Sequence, residues 1–254
     1  MSIPHMPDNL VNQTPPLGGR GVDVCLSPAL ISLFDVEKYV VVIIDIFRAT
    51  SSICYGIDNG AEAIIPVAEV EECLAYQEKH PDYLLAAERN GQVVSGFDFG
   101  NSPFSYTKEK VAGKTVVLTT TNGTHALHLS RKAKKVIIGS FLNLTAVCNW
   151  LNKQQEDILL VCAGWKNNFN LEDTVFAGAV VDQLKTFVPD DAAIAANDLY
   201  QIARNNIPAY LAKTSHSERL KKLGIEKDIA FCLQVDITSA IPVLDGEQLV
   251  RLGQ

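Results

Sequence analysis

Lysine and arginine form no long basic tract in this chain, and that absence excludes whole classes of partner. With 22 basic against 29 acidic residues, a formal net charge of −7 and the basic residues scattered, no electrostatic footprint for nucleic acid or an anionic membrane surface is present. No apolar run approaches the roughly 18 residues of a membrane span. No basic segment leading into a short apolar stretch opens the chain as a secretory signal would. The six cysteines, Cys25, Cys54, Cys73, Cys148, Cys162 and Cys232, lie far apart, with no C-x-x-C pair and no histidine at ligand spacing, which is the pattern of reduced thiols used in packing. A G-x-x-x-x-G-K-[ST] phosphate loop is missing, as are low-complexity segments and short-period repeats. These absences predict a cytoplasmic protein that takes a small molecule rather than nucleic acid or membrane.

What is there is a folding-competent chain: 254 residues, 47% of them hydrophobic, enough to bury one large core or two modest ones. Residues 1–20 carry Pro4, Pro7, Pro15, Pro16, Gly18 and Gly19 with little periodicity. They read as an extended N-terminal arm outside the core, suited to lie over a neighbouring subunit of a homo-oligomer. Over 21–254, strand-like apolar runs recur at 22–26, 39–46, 63–67, 83–87, 115–119, 136–138, 157–162 and 192–195. Helical patterns at 53–59, 70–79, 125–132, 144–152, 174–186 and 199–205 fall between several of them, and the alternation predicts an α/β protein with a mainly parallel sheet. The stretches 39–52 and 157–173 share an order of apolar strand, polar turn and helix. That likeness suggests two similar halves, about 21–145 and 146–254, either divided near 140–155 or intertwined in one core.

Chemistry concentrates where the strands run out. Tyr39 to Ile44 is a continuous apolar run that ends in Asp45, Arg48, Thr50, Ser51 and Ser52, and open α/β sheets keep their ligand crevice at such strand ends. The hydroxyls read either as ordinary caps or as a site that presents helix N–H groups to an anion beside Arg48. Thr120, Thr121, Asn122, Gly123 and Thr124 follow the 115–119 strand and form either an N-capping turn or a cradle for a tetrahedral oxyanion. Glu88 and Asp98, near Arg89, are hard oxygen donors of the kind Mg²⁺ takes, or else a surface pair and a packed turn. Glu172 and Asp173 stand where a helix starts, as capping acids or as a group that accepts a proton from attacking water. His216 is an acid/base candidate in a polar segment. His125 and His128 lack the spacing of a zinc helix and read as helix surface.

Taken together, D-I-F-R-A-T-S-S (45–52), E-R-N-G (88–91), G-F-D-F-G-N-S-P (96–103), T-T-N-G-T (120–124), C-A-G (162–164), E-D (172–173) and S-H (215–216) resemble the motifs of the 2-phosphosulfolactate phosphatase (ComB-like) family, from about Val22 to Gly246. The resemblance implies a Mg²⁺-dependent phosphatase that hydrolyses (R)-2-phospho-3-sulfolactate to 3-sulfolactate and phosphate, a step of coenzyme M biosynthesis. It also implies a three-layer α/β/α fold of two similar, intertwined parts. Asp45, Arg48, Glu88, Asp98, Asn101, Ser102, Thr121, Asn122, Gly123 and Asp173 fall on motif positions. Ala87 stands where the family pattern has glycine before Glu88, and Ser217 where it has glycine after His216, which bears on loop shape and hence on substrate.

On that footing, Asp45 with Glu88 or Asp98 is expected to hold Mg²⁺, and the Thr120–Thr124 loop with Asn101 and Ser102 to hold phosphoryl oxygens. Arg48 and Asp173 join Asp45 as catalytic candidates. Arg89 and Lys166 are expected to bind the substrate's sulfonate and carboxylate. Phe47 replaces the second acid of the D-x-D-x-T haloacid dehalogenase signature, so direct attack by water has more support than an aspartyl-phosphate at Asp45. Two other readings keep their place: a phosphatase for another small acidic ester, and a non-catalytic anion-binding protein.

Overall fold

Eleven strands form one mixed sheet in a computed structural model that describes residues 19–253. The strands are β1 (Arg20–Cys25), β2 (Tyr39–Ile44), β3 (Ala63–Pro66), β4 (Leu84–Arg89), β5 (Gln92–Val93), β6 (Thr115–Thr119), β7 (Lys135–Gly139), β8 (Asp157–Cys162), β9 (Phe187–Pro189), β10 (Pro242–Asp245) and β11 (Gln248–Arg251). The helices are α1 (Ala49–Asp58), α2 (Val70–Lys79), α3 (Lys108–Val111), α4 (Gly123–Leu129), α5 (Leu144–Leu151), α6 (Leu171–Gln183), α7 (Asp191–Ala203), α8 (Ile207–Leu211), α9 (Ser215–Lys222) and α10 (Glu226–Cys232). The expected arm at 1–20 lies outside the described residues as far as residue 18, and Arg20 is already the first residue of β1.

Seven of the eight expected strands are present, and 192–195 is a correction. Those residues lie in α7, whose Asp-Ala-Ala-Ile-Ala-Ala start is alanine-rich and strongly helix-forming, with the Asp190 side chain accepting from the Ala193 N–H at the cap. The edge strand of that region is β9, just before it. Its three residues are too few for a periodicity to register.

The sheet is two parallel blocks joined by a hairpin. In order it runs β5-β4-β6-β3-β11-β10-β7-β2-β8-β1-β9, with β4, β6 and β3 mutually parallel and β7, β2, β8, β1 and β9 likewise. The antiparallel β10–β11 pair sits between them and its ladder to each block has a single registered residue pair, Val243 with Ile137 and Leu249 with Ile64. The smaller block, residues 63–119, is threaded into the chain of the larger one. β8, from the second of the two expected halves, lies between β2 and β1 of the first. A cut near residue 145 would therefore separate neighbouring strands.

Alternation along the central strands sets the three layers. Val40, Val42 and Ile44 of β2, with Ile158, Leu160 and Cys162 of β8, pack under α5, α6 and α7. Val41, Ile43, Leu159 and Val161 face the other way, against α1 and α4, and that cluster also takes Ile64, Val116 and Leu118 from the smaller block. α1 is thus gripped by both blocks, and eight of its ten residues are buried. Its early hydroxyls serve the turn: Thr50 Oγ1 donates to the Asp45 carbonyl and accepts from the Asp45 N–H, Ser51 donates to the Ile46 carbonyl, and Ser52 to the Asn101 carbonyl. On the far side of α6, Gly178 lets α7 approach so closely that a Cβ there would stand 2.0 Å from the Ala196 carbonyl oxygen. Among the described residues, no helix is long and apolar enough to cross a membrane.

Candidate active site

The ends of β2, β4 and β8 and the start of α4 meet above α1, and α9 closes over them. Gly123 marks the contact between the two blocks: a Cβ on it would lie 2.8 Å from Asp45 Oδ2 and 2.9 Å from the Ala49 Cβ. Glycine is required there by space. The resulting cleft is lined by Asp45, Phe47, Arg48, Glu88, Asn101, Asn122, Trp165, His216 and Arg219, among others.

Its floor is acidic and dry. Asp45 is 8% exposed, Glu88 5% and Glu172 1%. Burial pushes the Asp45 carboxyl up to about 7; His216 pulls it down, while Glu88 and Glu172 add to the rise. Glu172 Oε1 holds His216 Nδ1, which leaves the other ring nitrogen free, and Phe47 and Trp165 flank the imidazole. Glu88 accepts from the Gly91 N–H and, through its other oxygen, from the Thr121 N–H at 3.4 Å. Glu172 Oε2 and Asn101 Oδ1 are buried without any hydrogen-bond partner.

Several expected residues take other positions. Asp98 is exposed and accepts from the Leu85 N–H at 2.8 Å. It therefore sits at the opposite end of β4 from Glu88, three residues or about 10 Å away along the strand, and is corrected from metal ligand to strand cap. Asp173 spends both oxygens on backbone, accepting from Ile46 at 2.9 Å and Gly164 at 3.0 Å. Its pKa is raised well above the carboxylate range by burial, with Glu172 and Asp45 adding to the rise. It ties the β2 and β8 turns together instead of entering the cleft.

The two cations expected at the acidic tail of a substrate also turn away. Arg89 donates to Thr119 Oγ1 at 3.1 Å and to the Glu88 and Ala68 carbonyls. Lys166 is exposed, with its ammonium 5.4 Å from the Trp165 ring centre, and it reaches the site only through its backbone N–H to Asn122 Oδ1. The hydroxyls of Thr120 and Thr124 bond within their own turn, and that of Thr121 to Glu88. The threonine loop is therefore beside Asp45, as expected, but most of its hydroxyls are already engaged.

Arg48 faces the cleft with its charge fully matched. It meets Asp228 of α10 at 2.5 Å and the Gly91 carbonyl at 2.8 Å, and Ser102 supports Asp228 from the other side at 3.1 Å. Sequence reasoning missed Asp228, which lies 180 residues from Arg48 in a short helix without a motif. It missed Arg219 as well. The available signal was its i, i+3 spacing from His216, which puts both on one face of α9.

Among the described residues, no three Asp, Glu, His or Cys side chains stand as a ready-made metal-binding set. The donor chemistry nonetheless suits a hard divalent ion. The cleft gathers buried carboxylates, with Glu88 and Glu172 disfavouring the charge on Asp45, and the two unpartnered oxygens, Glu172 Oε2 and Asn101 Oδ1, are hard donors. Mg²⁺ ordinarily uses one or two carboxylates and completes its shell with water and substrate oxygens, so a cage of three is not needed.

Fold and cleft together define an α/β protein whose strand ends carry a cleft of buried acids and an oriented histidine. The family described as 2-phosphosulpholactate phosphatase matches residues 25–247. Two proteins, each named "Probable 2-phosphosulfolactate phosphatase", from Thermotoga petrophila and Thermotoga maritima are 45% and 44% identical over 223 residues, 88% of this chain and 95% of each of theirs. A relative of the same name from Caldanaerobacter subterraneus is 42% identical over 225 residues, covering 87% of this chain and 93% of its own. The chain belongs to the 2-phosphosulpholactate phosphatase family and is a phosphoric monoester hydrolase.

Proposed function

We propose that this protein is a Mg²⁺-dependent phosphatase that converts (R)-2-phospho-3-sulfolactate to 3-sulfolactate and phosphate, as coenzyme M biosynthesis requires. The observation that carries the reading is the convergence of Asp45, Glu88 and the Glu172–His216 pair on one cleft in a chain of that family. Asp45 and Glu88 would hold the ion. When bound, it neutralises charge on the phosphoryl oxygens.

The remaining steps belong to the chain. Water attacks phosphorus in line as the ester P–O bond breaks. His216, its ring oriented through Nδ1 by Glu172, gives a proton from its free nitrogen to the leaving alkoxide. One proton of the attacking water restores His216, and the other stays on the released phosphate. Asp173 keeps the Ile46 and Gly164 N–H groups, and with them the turn that carries Asp45, in place. The six cysteines are all free and buried, which supports a reducing, cytoplasmic setting.

Phosphate release measured across a panel of phosphorylated hydroxy acids, with and without EDTA, tests the assignment. Turnover of phosphosulfolactate well above the other esters, abolished by EDTA, is the expected result. Equal rates across the panel would reject the substrate, and EDTA-insensitive turnover would reject the ion.

A further inference from the structure

With Arg89 and Lys166 directed elsewhere and Arg48 neutralised by Asp228, the acidic tail of the proposed substrate needs another cation. The geometry points to Arg219, stacked on Trp165, as the residue that binds the substrate's sulfonate and so sets preference for it. This inference rests on the phosphatase reading above and names the specificity-determining contact of the same site.

Arg219 lies three residues beyond His216 on α9, about 4.5 Å further along the helix axis. Both side chains line the cleft. His216 is 6% exposed, whereas Arg219 and Trp165 are half-buried. The order from inside to mouth is therefore the proton donor first, the guanidinium second. The Arg219 guanidinium carbon stands 3.8 Å from the centre of the Trp165 ring, a stacking arrangement that fixes the plane of the fork while leaving its edge available. Its Nη2 is buried and has no hydrogen-bond partner. An unmet charged donor inside a protein is costly unless a ligand completes it, and a forked guanidinium matches two oxygens of a sulfonate.

Counterbalancing the floor acids is the competing role for this cation. The geometry does not favour it: Glu88 engages Gly91 and Thr121, Glu172 engages His216 through Oε1, and although Glu172 Oε2 has no partner, among the described residues the ion pairs within 4.0 Å include Arg48–Asp228 but none to Arg219. A guanidinium held on an aromatic face at the mouth, with the phosphoryl-binding acids deeper, suits the part of the ester that is not transferred.

The test compares kcat/KM for 2-phosphosulfolactate and for 2-phospholactate, which lacks only the sulfonate. Wild type should favour the sulfonated ester. R219Q should cut that preference about thirtyfold, the scale of a charged hydrogen-bond pair, mainly through KM, and R219K, keeping charge without the fork, should restore part of it. Equal fractional losses on both esters in R219Q would overturn the assignment. Calorimetric binding of 3-sulfolactate against lactate gives a second readout. If wild type hydrolyses neither ester, the phosphatase reading falls, and Arg219 is still judged by whether R219Q abolishes selective sulfolactate binding or leaves it intact. Should R219Q fail to fold by circular dichroism, W165L must lower the same preference several-fold, and an unchanged preference there counts against the proposal.

Discussion

One wall of the cleft is made of strand ends and the other of short helices, and they differ in how their polar groups are satisfied. The strand-end wall carries Asp45, Glu88 and the threonine loop, positioned by β2, β4 and β6, whose registers are locked by neighbours on both sides. The helical wall carries His216, Arg219 and Asp228 on α9 and α10, elements of eight and seven residues. Such helices are marginal alone and owe their place to packing. The first wall is acidic, the second carries the histidine held by Glu172 and the acid that pairs with Arg48, and the cleft takes its lining from both. Arg48 and Arg219 show the same division within one residue type: one cleft arginine is closed by an ion pair, the other keeps an unmet N–H.

The sharpest way to break this comparison is at Asp45. D45N should lower kcat by about a thousandfold or more, the scale of a central electrostatic group, with circular dichroism unchanged. A loss under tenfold would move the chemistry off the strand-end wall. Next, D228A should leave the Arg48 guanidinium buried without its partner and cost about 3 kcal/mol of stability, read in urea denaturation; a near-neutral result would mean the two walls are not tied together by that pair.

On the helical wall, H216N should reduce kcat about a hundredfold, and E172Q combined with it should add little, because both act through one proton. Additive losses would separate them. Asp45 also predicts a pH dependence in the metal-free protein. Its folded pKa is raised from 3.8 to about 7, so the folded state holds a proton that the unfolded state has released. Stability should therefore fall as pH rises from about 4 to about 7 and level off above, and D45N should flatten that slope. Thermal melts in EDTA at stepped pH would show it, and an unchanged slope in D45N would refute the assignment. The smallest effect belongs to D98A, which should cost about 1 kcal/mol through loss of the Leu85 cap while leaving kcat within twofold; a larger catalytic loss would return Asp98 to the site.

How much of this was legible follows the same two walls. Continuous apolar runs ending in polar turns are local signals, and they located β2, β4, β6 and β8 and the acids beyond them. Asp98 misled because G-F-D-F-G-N-S-P lies close to Glu88 in sequence while the hairpin carries it back to the far end of the strand. Arg89 misled because adjacent residues of a strand point to opposite faces, so the arginine beside Glu88 had to leave the cleft.

The amino-acid order by itself determined the layered α/β class, the strand ends where ligand chemistry gathers, and the family motifs, because hydrophobic period, chain breakers and short motifs are all properties of neighbours along the chain. Tertiary structure alone decided which charges meet. The Glu172–His216 and Arg48–Asp228 pairs join residues 44 and 180 positions apart, and whether Arg219 finds a partner for its buried Nη2 is decided by which acids come within reach of it. Burial, charge pairing and the raised Asp45 pKa depend on which segments exclude water together, and no local pattern encodes that.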